Sequence, residues 1–588
     1  MKTIYICMET GCVAKGSNKV FQALEKGIKK NNLQVEIKPT GCQGLCQEGP
    51  LLQIMPDNIT YIRVKLEDVS EIITETLQND RIIERLLHLD NQKKEKLKNK
   101  SDWSFYQKQK GIILPMMAKI NKHSLQDYLD IGGYQALRKT LKHKPVEIVD
   151  EVLQSGLRGR GGAGFPTGKK WHAVAKQTNF PKYIVCNGDE GDPGAFMDRS
   201  IMEGLPHLVL EGMIIGAYAI GAKIGYIYVR EEYPTAVESL KLAINKAKKV
   251  NLLGKNILDS GFDFDIIIKR GAGAFVCGES SALMRSIEGK IGEPTEKYIH
   301  ASEKGLFGQP TVLNNVETFA NIPYIITHGA TKYKKLGTEK SPGTKIFSLV
   351  GKVVNTGLIE VEMGTTLREI IYDIGGGIAN NRKLKAVQTG GPSGGCIKAE
   401  NIDAPIDFDS LSALGSIMGS GGMIIMDDTT CMVEIARYFI NFLMEESCGK
   451  CTPCREGLLQ INKILERITQ GNGKLADLET LRMLCDYIKD SALCGLGKSA
   501  VNPMLSTLNN FEDEYCDHII NKRCPAGVCK TLTHFFINQE TCIACGVCMK
   551  NCPVNAITLN NKNYLIEQEV CIKCGICRDN CPVNAITT

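Results

Sequence analysis

"CIACGVCMKNCP", Cys542 to Pro553, is followed by "CIKCGICRDNCP", Cys571 to Pro582. Both strings carry the spacing C-x2-C-x2-C-x3-C-P, the run that anchors cubane iron–sulfur clusters in pairs. Three thiolates from a tight loop bind three irons, and the fourth cysteine of each run reaches the other cluster. On that rule Cys542, Cys545, Cys548 and Cys581 hold one [4Fe-4S] cluster, and Cys571, Cys574, Cys577 and Cys552 hold a second. A zinc ribbon is the plainer alternative, but paired four-cysteine runs each closed by Cys-Pro point away from it.

Further cysteine groups lie upstream. "ESCGKCTPCREG" gives Cys448, Cys451 and Cys454 on C-x2-C-x2-C, and Cys494 returns in "ALCGLG". Three close thiolates and one distant one suit a single cubane, and "VEIARYFINFLMEE" before them has the apolar spacing of a supporting helix. Near the N-terminus Cys7 and Cys12 form C-x4-C, and Cys42 and Cys46 form C-x3-C, each pair directly after an apparent strand. Four soft ligands from two loops suit zinc or a [2Fe-2S] cluster, and spacing alone leaves both open. Cys524 and Cys529 lie near His518, and with Cys485 they would complete a closed structural zinc site. Cys516 competes as the fourth ligand, but two residues along a helix from His518 it points to a nearly opposite face. Ordinary buried thiols are the alternative there. Cys186, Cys277, Cys396 and Cys431 read as small core residues.

At 588 residues the chain exceeds one ordinary core and predicts several domains. Hydrophobic residues at 43% and charged residues at 23% are the proportions of a globular protein, and a net charge of +6 does not call for nucleic acid. The densest lysine run, "NQKKEKLKNK" (Asn91–Lys100), reads as a solvated linker. "MKTIYICMET" shows no signal-peptide pattern. The most apolar stretch, Leu208–Val229, is interrupted by Glu211, Lys223 and glycines, so it predicts a buried helix followed by a strand rather than a membrane span. These features imply a cytoplasmic chain, and a reducing compartment favours metal over disulfides for the 24 cysteines.

The middle of the chain carries glycine turns. "GLRGRGGAGFPTGKKW" (Gly156–Trp171) contains G-x-G-x-x-G as Gly159, Gly161 and Gly164, but "PVEIVDEVLQSGL" before it reads as a helix, so a dinucleotide fingerprint is not met. A P-loop fails too, because Ala163 and Lys170 stand where it needs Gly and Ser or Thr. There remains a turn whose amides can approach a phosphate, with Lys169 and Lys170 adding charge and Phe165 available for stacking. "IIIKRGAGAFVCGESSALMRSIEG" follows a strand and opens a helix near Glu279, with Gly271, Gly273 and Gly278 permitting close approach of a flat ligand. Between them "YIVCNGDEGDPGAFMDR" runs from a strand into an acidic turn with Asn187, Asp189 and Glu190. Any one of these carboxylates is as readily a helix cap, but polar clusters just past strand ends in an α/β pattern are where ligands sit.

Together with "PTVLNNVET" (Pro310–Thr318) and "SCGKCTPCREG", these strings resemble the NADH-oxidising, FMN-binding subunit of respiratory complex I and related dehydrogenases, from about Lys110 to Cys529. The resemblance implies that Gly159, Gly161, Lys170, Asn187, Asp189, Gly278 and Asn314 contact FMN, and that Phe165, Glu190 and Glu279 line the space for NAD(H). Two departures bear on NADH against NADPH: Ser280 replaces the second acidic residue after Glu279, and "TEKYIHAS" replaces the usual aromatic-proline segment. The segment Phe347–Ile371 resembles the ubiquitin-like SLBB module, with a packing role. The N-terminal cysteine pairs resemble a thioredoxin-like [2Fe-2S] module, which favours the cluster over zinc.

The implied architecture is multidomain α/β: a thioredoxin-like [2Fe-2S] domain (1–88), a charged linker (89–110) and a Rossmann-like FMN/NADH domain (111–338). A ubiquitin-like SLBB domain (339–426), a helical-bundle [4Fe-4S] domain with a candidate zinc site (427–533) and a 2[4Fe-4S] ferredoxin domain (534–588) follow. This combination is similar to the diaphorase subunits of electron-bifurcating or NADP-reducing [FeFe]-hydrogenases. The resemblance implies one [2Fe-2S] and three [4Fe-4S] clusters, a hydrogenase catalytic subunit and a small [2Fe-2S] subunit as partners, and exchange with ferredoxin. Coupling to an NAD-dependent formate dehydrogenase, or a flavin-free electron-wire role, are the competing expectations.

Overall fold

A computed structural model describes residues 1–296, 298–560 and 563–587, so Lys297 in the "TEKYIHAS" segment lies outside the described residues. The chain divides into two compact units: residues 1–381, 387–394 and 399–425 form the first, and 382–386, 395–398 and 426–588 the second.

The first unit begins with β1 (Lys2–Cys7), α1 (Ser17–Lys30), β2 (Val35–Thr40), β3 (Leu52–Met55) and β4 (Ile59–Tyr61). They form a sheet of order β2-β1-β3-β4, with β1 parallel to β2 and antiparallel to β3. Ile4 and Ile6 of β1 meet Val20, Leu24 and Ile28, which recur at helical spacing along one face of α1. Cys7 ends β1 and Cys42 follows β2, so the parallel pair delivers both cysteine loops to one end of the sheet.

The segment 89–110, expected as a linker, is folded. His88–Asp90 and Glu95–Leu97 pair as a hairpin, Trp103 and Phe105 are fully buried, and the Trp103 indole N–H donates to the Leu97 carbonyl at 3.2 Å. The lysines at the hairpin tip are exposed, which accounts for the composition that suggested a tether.

A doubly wound sheet follows. After α2 (Pro145–Gln154) and α3 (Thr167–Ala175) come β5 (Tyr183–Gly188), α4 (Met197–Gly204), α5 (Pro206–Ile220), β6 (Ile224–Arg230), α6 (Pro234–Lys249), β7 (Asp265–Gly271), α7 (Ser280–Ile287), β8 (Thr311–Asn315) and α8 (Val316–His328). The four strands are all parallel, in the order β8-β5-β6-β7. The chain therefore steps outward from β5 to β7 and then returns to its other side, which makes β8/β5 the topological switch point. The apolar stretch from Leu208 is the buried helix α5 followed by strand β6, as its interrupted hydropathy predicts. Among the described residues no helix is long and apolar enough to cross a membrane.

Beyond the sheet, β9 (Thr344–Gly351) pairs antiparallel with β10 (Gly357–Glu362), and Ser348 to Gly351 pairs parallel with Gly422 to Ile425. One core joins Cys42, Met117, the α5 residues and Leu358, so the N-terminal module and the middle of the chain are packed together.

The second unit is helical: α9 (Met432–Glu445), α10 (Thr452–Thr469), α11 (Ala476–Ser491), α12 (Asn502–Asn510) and α13 (Glu512–Ile519). Its last segment contains two short antiparallel pairs, Ile557–Asn560 with Asn563–Ile566 and Phe536–Ile537 with Ile586–Thr587. Each cysteine run there turns on a left-handed glycine, Gly546 or Gly575, into a one-turn helix, so the two runs are structural repeats.

Candidate functional site

The expected flavin residues gather at the carboxyl ends of β5 and β8. Asn187, the penultimate residue of β5, donates from its side-chain amide to the Gly278 carbonyl at 3.0 Å, tying the acidic turn to the glycine turn after β7. Its carbonyl oxygen accepts from the Asp189 N–H, also at 3.0 Å. Asn314 stands opposite Cys186 in the register and accepts from the Trp171 indole at 3.1 Å, while Lys170 reaches the Leu313 carbonyl at 2.9 Å. Helix α3 thus lays the end of the first glycine turn against β8. Gly159 donates to the Phe165 carbonyl at 2.9 Å, closing the turn and leaving Phe165 50% exposed at its rim.

Two positions of the turn leave no room for a side chain. A Cβ on Gly161 would stand 2.9 Å from that of Asn315. Gly164, at φ +62°, adopts the left-handed conformation, and a Cβ there would meet the Phe408 ring at 2.6 Å.

Glu190 and Glu279 are buried, and both carboxylates are engaged by helix N-termini. Glu190 accepts from the Asp198 and Arg199 N–H groups at 3.0 and 3.1 Å, at the start of α4. Glu279 caps α7 through Ser281 and Ala282. The capping alternative therefore describes their local bonding. Burial raises Glu190 above the usual carboxylate range, against those two N–H donors. Ser280, where the family pattern is acidic, donates to Glu279 at 3.1 Å.

Arg160 was not singled out by the sequence, yet it is the organising residue of the turn. Its guanidinium is fully buried and bonds the Thr344, Pro342 and Arg158 carbonyls and the Tyr333 hydroxyl at 2.7–3.1 Å, while its backbone N–H donates to Thr318. An arginine flanked by glycines was the available signal, but most of its acceptors lie more than a hundred residues away.

The residues fit a flavin phosphate on structural grounds. The Asn314 Nδ2 is buried without a hydrogen-bond partner, Gly159, Gly161 and Gly164 have no side chain to hold a ligand off their backbone, and Lys170 supplies positive charge.

Several of the expected cysteine ligands lie near one another. Cys42 and Cys46 sulfurs are 3.6 Å apart, and hydrogen bonds from Cys12 and Cys42 hold the Cys7 thiol well below its usual range. Cys454 lies in the field of Cys451, Cys494 and Cys448, and burial pushes it up to about 11. Cys451 and Cys494 stand at the N-caps of helical segments, where N–H groups are available to a thiolate; Gly497 donates to Cys494 at 3.4 Å. Cys542, Cys545, Cys548 and Cys581 line one small cavity, the cross-run grouping expected from the motif. Within the second run Cys571 and Cys574 act on Cys577, with Cys548 of the first run adding to them, and Cys552 accepts from the Ala556 N–H as Cys581 does from Ala585, both at 3.2 Å.

One assignment is corrected. The fourth group beside His518, Cys524 and Cys529 is Cys431, not Cys485: ligand atoms of Cys431, His518, Cys524 and Cys529 all lie within 4.8 Å of one another, and all four residues are buried. Cys431 and Cys529 sulfurs are each 3.4 Å from His518 Nε2, and His518 Nδ1 is 2.7 Å from the Glu514 carbonyl, which fixes the tautomer that turns Nε2 to the thiols. Cys485 is buried on α11 outside this group. Cys431 immediately precedes α9 with no cysteine near it in sequence, so spacing could not reveal it.

Comparison with known proteins gives the family. The Nuo51 FMN-binding domain matches residues 152–324 and the NADH-ubiquinone oxidoreductase-F iron–sulfur binding region matches 434–518. A thioredoxin-like [2Fe-2S] ferredoxin matches 1–77 and a 4Fe-4S dicluster domain 535–588. The chain belongs to the complex I 51-kDa family of FMN-binding, iron–sulfur oxidoreductase subunits. It is 54% identical to the NADP-reducing hydrogenase subunit HndC of Solidesulfovibrio fructosivorans, over 75% of this chain and 90% of that protein. It is 48% identical to an NADH-quinone oxidoreductase subunit of Rhizobium meliloti, over 68% of this chain and 96% of that protein. Among solved structures it resembles an NAD+-reducing [NiFe]-hydrogenase chain, with a TM-score of 0.62, 29% identity, and 88% and 84% of the two chains covered.

Proposed function

We propose that this chain exchanges a hydride with NAD(H) at FMN held by Gly159, Gly161, Lys170, Asn187, Asp189, Gly278 and Asn314, and moves the electrons singly through cysteine-bound clusters. The observation that carries this reading is the meeting of Lys170, Asn187, Gly278 and Asn314 at the β8/β5 switch point. When bound, FMN supplies exchange between a two-electron donor and one-electron carriers. The chain's own residues position it. The Gly159–Gly164 backbone and Lys170 would receive its phosphate, Asn187 and Asp189 would contact its other polar groups, and exposed Phe165 would offer a stacking face to the nucleotide. Glu190 and Glu279, rigid because each is bonded to a helix start, shape the wall of the nucleotide site. No side chain is needed as acid or base.

Cys7, Cys12, Cys42 and Cys46 are assigned a [2Fe-2S] cluster, and Cys448, Cys451, Cys454 and Cys494 a [4Fe-4S] cluster. The two closing runs hold two more cubanes that exchange electrons with ferredoxin. Cys431, His518, Cys524 and Cys529 are assigned a structural zinc, since three thiolates and one imidazole with a fixed tautomer leave no open coordination position. HndC is a subunit of an NADP-reducing hydrogenase and the structural relative belongs to an NAD+-reducing hydrogenase, which supports a place for this chain in a hydrogenase complex. A cytoplasmic setting, a catalytic subunit and a small [2Fe-2S] subunit as partners, and bifurcation between NAD(H) and ferredoxin extend that reading and rest on the diaphorase resemblance of the sequence.

Anaerobic purification followed by cofactor counting tests the reading. One FMN, about 14 irons from one binuclear and three cubane clusters, and one zinc per chain are expected. NADH and NADPH titrated separately establish the nucleotide. Protein without FMN whose visible spectrum ignores both nucleotides refutes it, and assay of the native complex with hydrogen against formate identifies the coupled reaction.

A further inference from the structure

A cavity of about 450 Å³ opens inside the first unit, beside the loop that joins Cys42 to Cys46. Its size falls within the ~300–1,000 Å³ typical of small-molecule sites. Met55, Leu114 and Pro115 give it an apolar wall, and Tyr5 and Tyr106 contribute aromatic side chains. Tyr106 is fixed, because its hydroxyl donates to the Gln43 carbonyl at 2.6 Å.

Lys100 and Lys119 both line this space. The Lys100 ammonium donates to the Gln43 amide oxygen at 3.2 Å, and among the described residues neither lysine has a carboxylate partner. Glu360 also lines the cavity, but its charge is already taken up. It accepts from the Ile112, Ile113 and Leu114 N–H groups at 2.8–3.2 Å and from the Thr344 hydroxyl at 2.7 Å. Lys100 is half-buried and Lys119 exposed, so it is Lys100, held against the apolar wall and repelled by Lys119, whose cost an anion between the two would offset. Burial lowers Lys100 to about 8, the fields of Cys7 and Cys42 opposing that fall and Lys119 adding to it.

We propose that this cavity binds an anionic aromatic ligand of mononucleotide size, its phosphate between Lys100 and Lys119 and its flat body against Tyr5, Tyr106 and Leu114. The site touches Gln43 and Gly44, so its occupancy is coupled to the [2Fe-2S] centre, a clause that rests on the cluster assignment above. An electron added at the cluster competes with the ligand's anionic head for the Lys100 ammonium, so reduction weakens binding, and binding lowers the cluster's potential by the same factor. A tenfold difference in affinity corresponds to about 59 mV for this one-electron couple.

The test uses anaerobic holoprotein saturated with NAD+, so that the nicotinamide site is filled, and equilibrium dialysis against AMP, with inorganic phosphate as the second arm. One AMP site is expected, tenfold or more weaker in each of Lys100→Met and Lys119→Met, with phosphate alone binding at least tenfold more weakly than AMP. Redox titration followed by EPR should show the [2Fe-2S] midpoint falling when AMP is added. No AMP site under NAD+ saturation, or equal affinity in both variants, overturns the proposal, and phosphate binding as tightly as AMP overturns its aromatic part. AMP binding that depends on both lysines in protein lacking a [2Fe-2S] signal would keep the site and refute the cluster reading instead.

Discussion

Replacing Arg160 with Met keeps most of the stem volume and removes the guanidinium. The Thr344, Pro342 and Arg158 carbonyls then lose a charged donor, and Tyr333 keeps only its bond to Asn321 at 2.9 Å. Hydrogen bonds to charged groups contribute ~1.5–3 kcal/mol each and do not add fully, so a loss of roughly 3–5 kcal/mol is expected for the set. These acceptors come from residues 342–344 and 158, the frame on which Gly159 and Gly161 are mounted. If ~2 kcal/mol of the loss must be recovered to reorder the turn around the ligand, the FMN dissociation constant rises about 30-fold. Flavin fluorescence on dialysis of the purified variant measures it, with iron content as the control, because the cysteine sites are remote in sequence from this turn. An Arg160→Met protein that keeps FMN with wild-type affinity would refute the claim that the buried guanidinium organises the site.

Other expectations follow from the same geometry. Cys431→Ser should purify with zinc largely lost and an earlier unfolding transition, whereas Cys485→Ser should keep its zinc; metal analysis of the two decides between them. Cys494→Ala should leave flavin reduction by NADH intact while slowing electron transfer to a one-electron acceptor at least 100-fold, measured by stopped flow and steady-state assay. Burial holds His207 at about 3, against 6.5 when exposed, with Lys246 lowering it further and its Nδ1 3.0 Å from the Tyr134 hydroxyl. A base depressed in the folded state contributes stability that is complete above about 6.5 and is lost as pH falls toward 3. His207→Gln should therefore remove up to one proton of uptake on unfolding near pH 5, read from the pH dependence of denaturant midpoints.

Local order in the sequence was legible where the chemistry is local. The spacing of Cys542 to Cys581 is set by the geometry of a cluster held in a loop, and Glu211, Lys223 and the glycines of 208–229 excluded a membrane span before helix and strand were seen. Through-space groupings were not legible. Cys431 reaches His518 across 87 residues, and Arg160 finds Thr344 across 184. Lys100 sat in a run that composition assigns to solvent, whereas burial of Trp103 and Phe105 beside it folds the segment and turns Lys100 toward Gln43. Glu190 follows the end of β5 and Glu279 stands at the start of a helix, as the sequence patterns predict, but their bonding to helix starts is a local geometry that either reading of a carboxylate would share.

Mixing oxidised holoprotein anaerobically with one equivalent of NADH, followed by flavin absorbance and freeze-quenched EPR, shows whether electrons from NADH pass through the flavin before they reach the clusters. Flavin should bleach first and then recover as single-electron cluster signals grow, with the Cys494→Ala protein stopping at the bleached stage. Cluster signals that appear without any flavin change, or in protein stripped of FMN, would contradict it.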